Sequence, residues 1–137
     1  MARIKPNEAC PCGAGGKYKK CCGPLHRGVR AAASPVALMR SRYTAYALGL
    51  VDYVIDTTHP DHPAWNANRA TWAAELRAWC EEATFTKLTV HGHGEEDGAG
   101  WVSFTADYTA GGRSGALAEL SRFSQVDGRW LYRDKDA

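Results

Sequence analysis

The sequence predicts an α+β domain in which three amphipathic helices precede four hairpin-linked strands, with a short cysteine segment in front. Three observations carry this reading. Apolar residues recur at steps of three and four between Ser34 and Glu82. The period then falls to two, and the turns between the strand-like runs are too short for any connection except antiparallel hairpins. At 137 residues, 45% apolar and 23% charged, the chain has the size of one ordinary domain, so two large domains are excluded.

Ser34-Pro35 opens the first helix, with serine as N-cap and proline at the first helical position. Val36, Met39, Tyr43, Tyr46, Ala47 and Leu50 follow on one face, which is expected to be buried. Gly49 ends this helix, and a short second one runs through Tyr53, Val54 and Ile55 before Pro60 and Pro63 mark a loop. Asn68 caps a third helix over 69–82, where Trp72, Leu76, Trp79 and Cys80 form the apolar stripe; Cys80 is read as a small buried hydrophobe. Strands are expected at 85–93, 101–108, 116–125 and 129–133, separated by turns that include Asp97-Gly98 and Asp127-Gly128. Packing the helices on one face of a bent antiparallel sheet buries both apolar patterns.

The cysteines set the first thirty residues apart. Cys10, Cys12, Cys21 and Cys22, four of the five in the chain, form two close pairs separated by eight residues. Such spacing suits one zinc ion held by four thiolates, and Gly13, Gly15 and Gly16 permit the tight return the loop must make. His26, four residues beyond Cys22, is an alternative fourth ligand; Cys22 is preferred. Adjacent cysteines rarely bridge each other, so disulfides explain the pattern poorly. A closed four-ligand site leaves no coordination position open, so the zinc is expected to be structural. Tyr18 is its expected apolar lid.

Residues 1–30 are therefore read as a zinc knuckle and 31–137 as the α+β domain. Seven basic residues against one acidic give the first segment a net +6, and the second carries −4. A zinc tetrathiolate lowers the +6 to +4, and Lys17, Lys19 and Lys20 beside the ligands are the expected partner-binding residues. A protein partner fits better than nucleic acid, because the charge is small and only Tyr18 interleaves with it. No run approaches the length of a membrane span and the N-terminus has no apolar signal region, so a cytoplasmic location without membrane contact is expected.

The run from Cys10 to Gly23 resembles the SEC-C motif, a zinc-binding module first associated with the SecA translocase ATPase, where it docks protein partners. That resemblance implies zinc at Cys10, Cys12, Cys21 and Cys22 and an interaction role. The phrases Leu38-Met39-Arg40-Ser41-Arg42-Tyr43-Thr44-Ala45-Tyr46, Thr57-Thr58-His59-Pro60, Glu119-Leu120-Ser121-Arg122-Phe123 and Gly128-Arg129-Trp130-Leu131-Tyr132 resemble the YchJ-like family of small bacterial SEC-C proteins. This second resemblance spans nearly the whole chain and implies a nuclear transport factor 2-like cone over 31–137. Two positions depart from the family pattern: Thr58 stands where tryptophan is usual, and Ala118 where histidine precedes the glutamate. The second cysteine cluster of some longer members has no counterpart here.

A cone of this kind encloses a cavity, and polar residues on its inward faces are the candidates for a small-molecule site. Glu119, Ser121 and Phe123 share one strand face and Arg122 the other. The functional reading makes Arg42 or Arg122 an anion holder and Asp107 or Glu119 a general base, with Tyr43, Tyr46, Trp130 and Tyr132 as walls. In the plainer reading an Arg–Glu ion pair tethers helix to sheet and the aromatics are core. No P-loop, dinucleotide glycine pattern, serine elbow or paired-histidine helix appears, so no catalytic residue is assigned and a binding role is preferred to an enzymatic one.

Overall fold

The computed structural model describes residues 4–136. A single 3-10 turn (Tyr18–Lys20) and α1 (Cys22–His26) belong to the cysteine segment. They are followed by α2 (Pro35–Leu48), α3 (Val51–Asp56), α4 (Arg69–Glu82), β1 (Ala83–Glu96), β2 (Ala99–Ala110), β3 (Arg113–Val126) and β4 (Arg129–Lys135). The four strands form one antiparallel sheet in the order β1-β2-β3-β4. Each hairpin turns on two residues with positive φ: Asp97-Gly98, Gly111-Gly112 and Asp127-Gly128. Those conformations match the right-handed twist of the flanking strands. Register shifts after Phe85 and after Val90 interrupt the pairing of β1 with β2, the kind of irregularity that bends a strand.

The expected caps are in place. Ser34 Oγ accepts from the Ala37 amide, Asn68 Oδ1 accepts from the Thr71 amide, and Gly49 closes α2 in the left-handed region. One expectation about α2 needs correction. It is buried on more than the predicted stripe: Leu38, Ser41, Arg42, Thr44 and Ala45 are all buried, whereas Leu50 is exposed. The cysteine segment and α3 pack on α2 in addition to the sheet, and periodicity within one helix does not register partners that arrive from elsewhere. Among the described residues there are four α-helices where three were predicted, because residues 22–26 coil as the chain leaves the cysteine loop.

Three apolar clusters follow. Leu38, Met39, Val102, Phe123 and Trp130 pack beneath the first half of α2. Cys10, Cys12, Cys22, Tyr43 and Ala106 form the second, and Val51, Ile55, Trp72, Ala73 and Cys80 join α3 to α4. Beyond α3 the chain runs along the edge of β4: the Tyr132 amide donates to the Thr57 carbonyl and the His59 amide to the Tyr132 carbonyl, each at 2.8 Å. This edge contact carries Thr57 and Thr58 to Tyr132.

Candidate metal centre and adjoining cavity

All four sulfur atoms of Cys10, Cys12, Cys21 and Cys22 lie within 4.8 Å of one another, and Cys12 Sγ is 3.5 Å from Cys21 Sγ. A metal with bonds of about 2.3 Å to four tetrahedral thiolates would set its sulfurs about 3.8 Å apart, so the donor set fits such an ion. All are free thiols, and three of the four are buried. The loop is built by backbone pairing: the Cys10 amide donates to the Gly16 carbonyl, and the Tyr18 amide to the Glu8 carbonyl, both at 2.9 Å. Gly13 and Gly15, both at positive φ, make the return between the two pairs.

Electrostatics in the cluster are mutual. Hydrogen bonds from Cys12 and Cys22 favour the Cys10 thiolate and hold its pKa far below the ordinary thiol value. Cys21 is pushed up to about 12, first by burial and then by Cys12. Cys22 is also pushed up, chiefly by its hydrogen bond to Cys10. Crowded thiols resist successive ionisation, and a cation among them relieves that repulsion.

The cluster is fastened to α2 by groups that sequence reasoning did not single out. Arg40 Nη1 donates to the Cys12 carbonyl at 2.6 Å, and Thr44 Oγ1 lies 3.8 Å from Cys10 Sγ. Both ring nitrogens of His26 are engaged. Nε2 must donate to the Ser41 carbonyl (2.8 Å), which leaves Nδ1 to accept from the Tyr18 hydroxyl (2.7 Å). In this arrangement His26 is a strut between loop and helix with both ring nitrogens hydrogen-bonded, and burial lowers its pKa. Lys17, Lys19 and Lys20 are exposed, and none of them makes an ion pair among the described residues.

On the other side of Tyr43 lies a cavity of about 170 Å³ between α2, α4 and the sheet. Of the residues proposed to line it, Arg42, Tyr43, Tyr46, Glu119 and Tyr132 do so. Trp79, Phe85, Phe104 and Leu117 also line it without having been singled out for it, since the strand residues are placed by pairing across strands and Trp79 by where α4 meets the sheet. Glu119 Oε2 accepts from the Tyr132 hydroxyl at 2.9 Å and from the Ser121 hydroxyl. Burial, then the Glu119 charge, raises the Tyr132 pKa. Arg42, only 7% exposed, donates through Nη1 to Val54 O (2.9 Å), Thr57 Oγ1 (2.7 Å) and Thr58 Oγ1 (3.1 Å). Its guanidinium carbon lies 4.7 Å from the centre of the Tyr132 ring.

Three proposed cavity residues are elsewhere. Asp107 follows the inward Ala106 and so takes the other face of β2, opposite Lys87. Arg122, between the inward Ser121 and Phe123, pairs outside with Asp134 at 2.6 Å. Trp130 keeps the inward face of β4 but lies two residues short of Tyr132, in the core beneath α2. The expected Arg–Glu tether is also absent: Arg42 is held by α3 and the two threonines, and no described residue forms an ion pair with it.

Fold and cysteine cluster together define a nuclear transport factor 2-like α+β domain that carries a SEC-C motif. Residues 34–135 match the middle NTF2-like domain of YchJ and residues 7–24 match the SEC-C motif, and the chain belongs to this YchJ-like family. It is similar to a SEC-C motif containing protein from Rhodopseudomonas palustris at 42% identity, with a TM-score of 0.82 over 93% of this chain and 97% of that one. A sec-c motif containing protein from Psychrobacter arcticus is 25% identical, with a TM-score of 0.77 over 94% and 82% of the two chains. An NTF-2 like protein of unknown function from Shewanella oneidensis, 16% identical with a TM-score of 0.57 over 73% and 92%, shares the fold alone. No helix of the described residues is long and apolar enough to cross a membrane.

Proposed function

We propose that the chain is a zinc-stabilised interaction module. One zinc ion sits among Cys10, Cys12, Cys21 and Cys22, and the basic outer surface of the same loop docks on an acidic protein. The carrying observation is the division of that loop into two faces. Its sulfurs turn inward against Tyr43 and Ala106, whereas Lys17, Lys19 and Lys20 stand exposed with their charge unpaired among the described residues. Zinc suits four soft thiolates in a closed site that offers no coordination position to a substrate, so its role here is to hold the loop. Free thiols at this density suit a reducing compartment, which supports a cytoplasmic location. Nucleic acid is the weaker partner, since the positive charge is small and Tyr18 is the one aromatic among the lysines in sequence.

The test compares the parent chain with the triple variant Lys17→Glu, Lys19→Glu, Lys20→Glu in nuclease-treated cell extract at low and high salt. The parent is expected to retain a discrete protein partner that salt releases, and the variant to lose it while keeping its metal. Retention by the variant, or loss of binding on nuclease treatment alone, contradicts the reading.

A further inference from the structure

We propose that the cavity beside Tyr43 binds a small, neutral aromatic carboxamide, held head-on between Arg42 and Glu119. The site owes nothing to the lysine surface, so the charge-reversal experiment above leaves it intact and the two readings fail separately.

Two polar groups in the cavity are fixed in place yet only half used. The Glu119 carboxylate directs one oxygen, Oε2, to both Ser121 and Tyr132, and its other oxygen has no partner among the described residues. Arg42 is anchored by Nη1 alone, on Val54 O and the hydroxyls of Thr57 and Thr58, with the Tyr132 ring against its guanidinium. No buried side-chain nitrogen or oxygen lacks a hydrogen-bond partner among the described residues. The unbonded guanidinium nitrogens and the free Glu119 oxygen therefore each keep some accessible surface, and the space that both residues line is this cavity. Despite their opposite charges, the two form no ion pair with each other.

A donor side and an acceptor side that face one space without meeting define the head group. It must accept from Arg42 and donate to Glu119. Because the two protein charges cancel, the head is neutral: a carboxylate would satisfy Arg42 but oppose Glu119, and an ammonium would do the reverse. A primary carboxamide offers a carbonyl to one and an N–H to the other. Apart from the hydroxyls of Tyr43 and Tyr46, the remaining walls are largely apolar, and they are ordered by edge-to-face contacts of Phe85 with Tyr43 (5.5 Å) and with Trp79 (6.3 Å). About 170 Å³ holds a single aromatic ring, since an apolar cavity of about 150 Å³ takes benzene.

The experiment is an amide-resolved NMR titration of the full, metal-loaded chain with benzamide, benzoate and benzylamine. Benzamide is expected to give saturable shifts around Arg42, Glu119 and Tyr132, with the other two probes at least about tenfold weaker. In Glu119→Gln the side-chain oxygen stays with Ser121 and Tyr132 and turns its NH2 into the cavity. Benzamide is then expected to weaken about tenfold while benzoate binds at least as well as before. The parent titration overturns the proposal if benzamide gives no saturable shift up to about 10 mM, if its shifts fall outside the cavity, or if benzoate binds equally well. An unchanged benzamide-to-benzoate ratio in Glu119→Gln overturns the assigned role of that carboxylate.

Discussion

Arg40 Nη1 donates to the carbonyl oxygen of Cys12 across 2.6 Å, so a charged side chain of α2 holds the backbone of a clustered cysteine. The neighbouring turns of the helix repeat the arrangement, with the Ser41 carbonyl taking His26 Nε2–H and Thr44 beside Cys10. Tyr43, between them in sequence, shares a core cluster with the cysteines and Ala106 of β2. The cysteine loop is thereby tied to α2 by hydrogen bonds and shares one of the three apolar clusters with it.

Replacing His26 with phenylalanine separates strut from ligand. The Tyr18 hydroxyl and the Ser41 carbonyl each lose a part-buried partner, at a cost of about 2 kcal/mol in a urea melt. Metal content should stay that of the parent. Loss of metal in this variant would restore His26 as a ligand.

Gly100 marks where α2 meets the sheet. A Cβ built there would collide with Pro35 Cγ, the first residue of α2. Proline's ring cannot swing aside as a flexible side chain would. Gly100→Ala is expected to push the start of α2 off β2 and lower stability by about 1–3 kcal/mol, measured by denaturant unfolding. A neutral result would mean that this end of α2 is not held against β2.

Arg42→Lys tests whether the guanidinium fork matters beyond its charge. An ammonium has donors enough for the three acceptors that Nη1 reaches, but it has no planar face to lay against Tyr132 and is more strongly hydrated, and the expected loss is about 1–2 kcal/mol. A melt identical to the parent's would show that a point charge suffices.

Alkaline pH reports on Tyr132. Its folded pKa is raised above the ordinary tyrosine value of 10.0, first by burial and then by the Glu119 charge. The folded state therefore keeps the phenol proton that the unfolded chain gives up. The resulting stability is fully present below pH 10 and is lost as pH rises from there through the folded pKa. Tyr43, Tyr46 and Tyr53 are raised by burial and act in the same direction. Tyr132→Phe should flatten the decline in urea midpoint above pH 10, and an unchanged slope would remove Tyr132 from the account.

Much of this was legible in the sequence, wherever the signal is local. Ser34-Pro35, Asn68 and the Asp-Gly turns act through residues next to them, and the cysteine spacing already picked out the four thiols that the fold brings together. Alternation along β3 likewise separated Glu119 from Arg122. What escaped depends on partners distant in sequence. Arg42 is buried because the end of α3 runs along β4 and delivers Thr57 and Thr58 to it. Trp130 and Tyr132 share a face, but where along the sheet the cavity opens is decided by where α2 and α4 cross it. No periodicity in residues 22–26 announces α1, a helix of five residues coiled against its neighbours.

The most direct test of the central claim is native mass spectrometry of the reduced parent chain beside Cys12→Ser and Cys22→Ser. One zinc per parent chain, lost in both variants, is the predicted result. A parent without stoichiometric metal, or variants that keep it, would contradict the four-thiolate centre on which the interaction module rests.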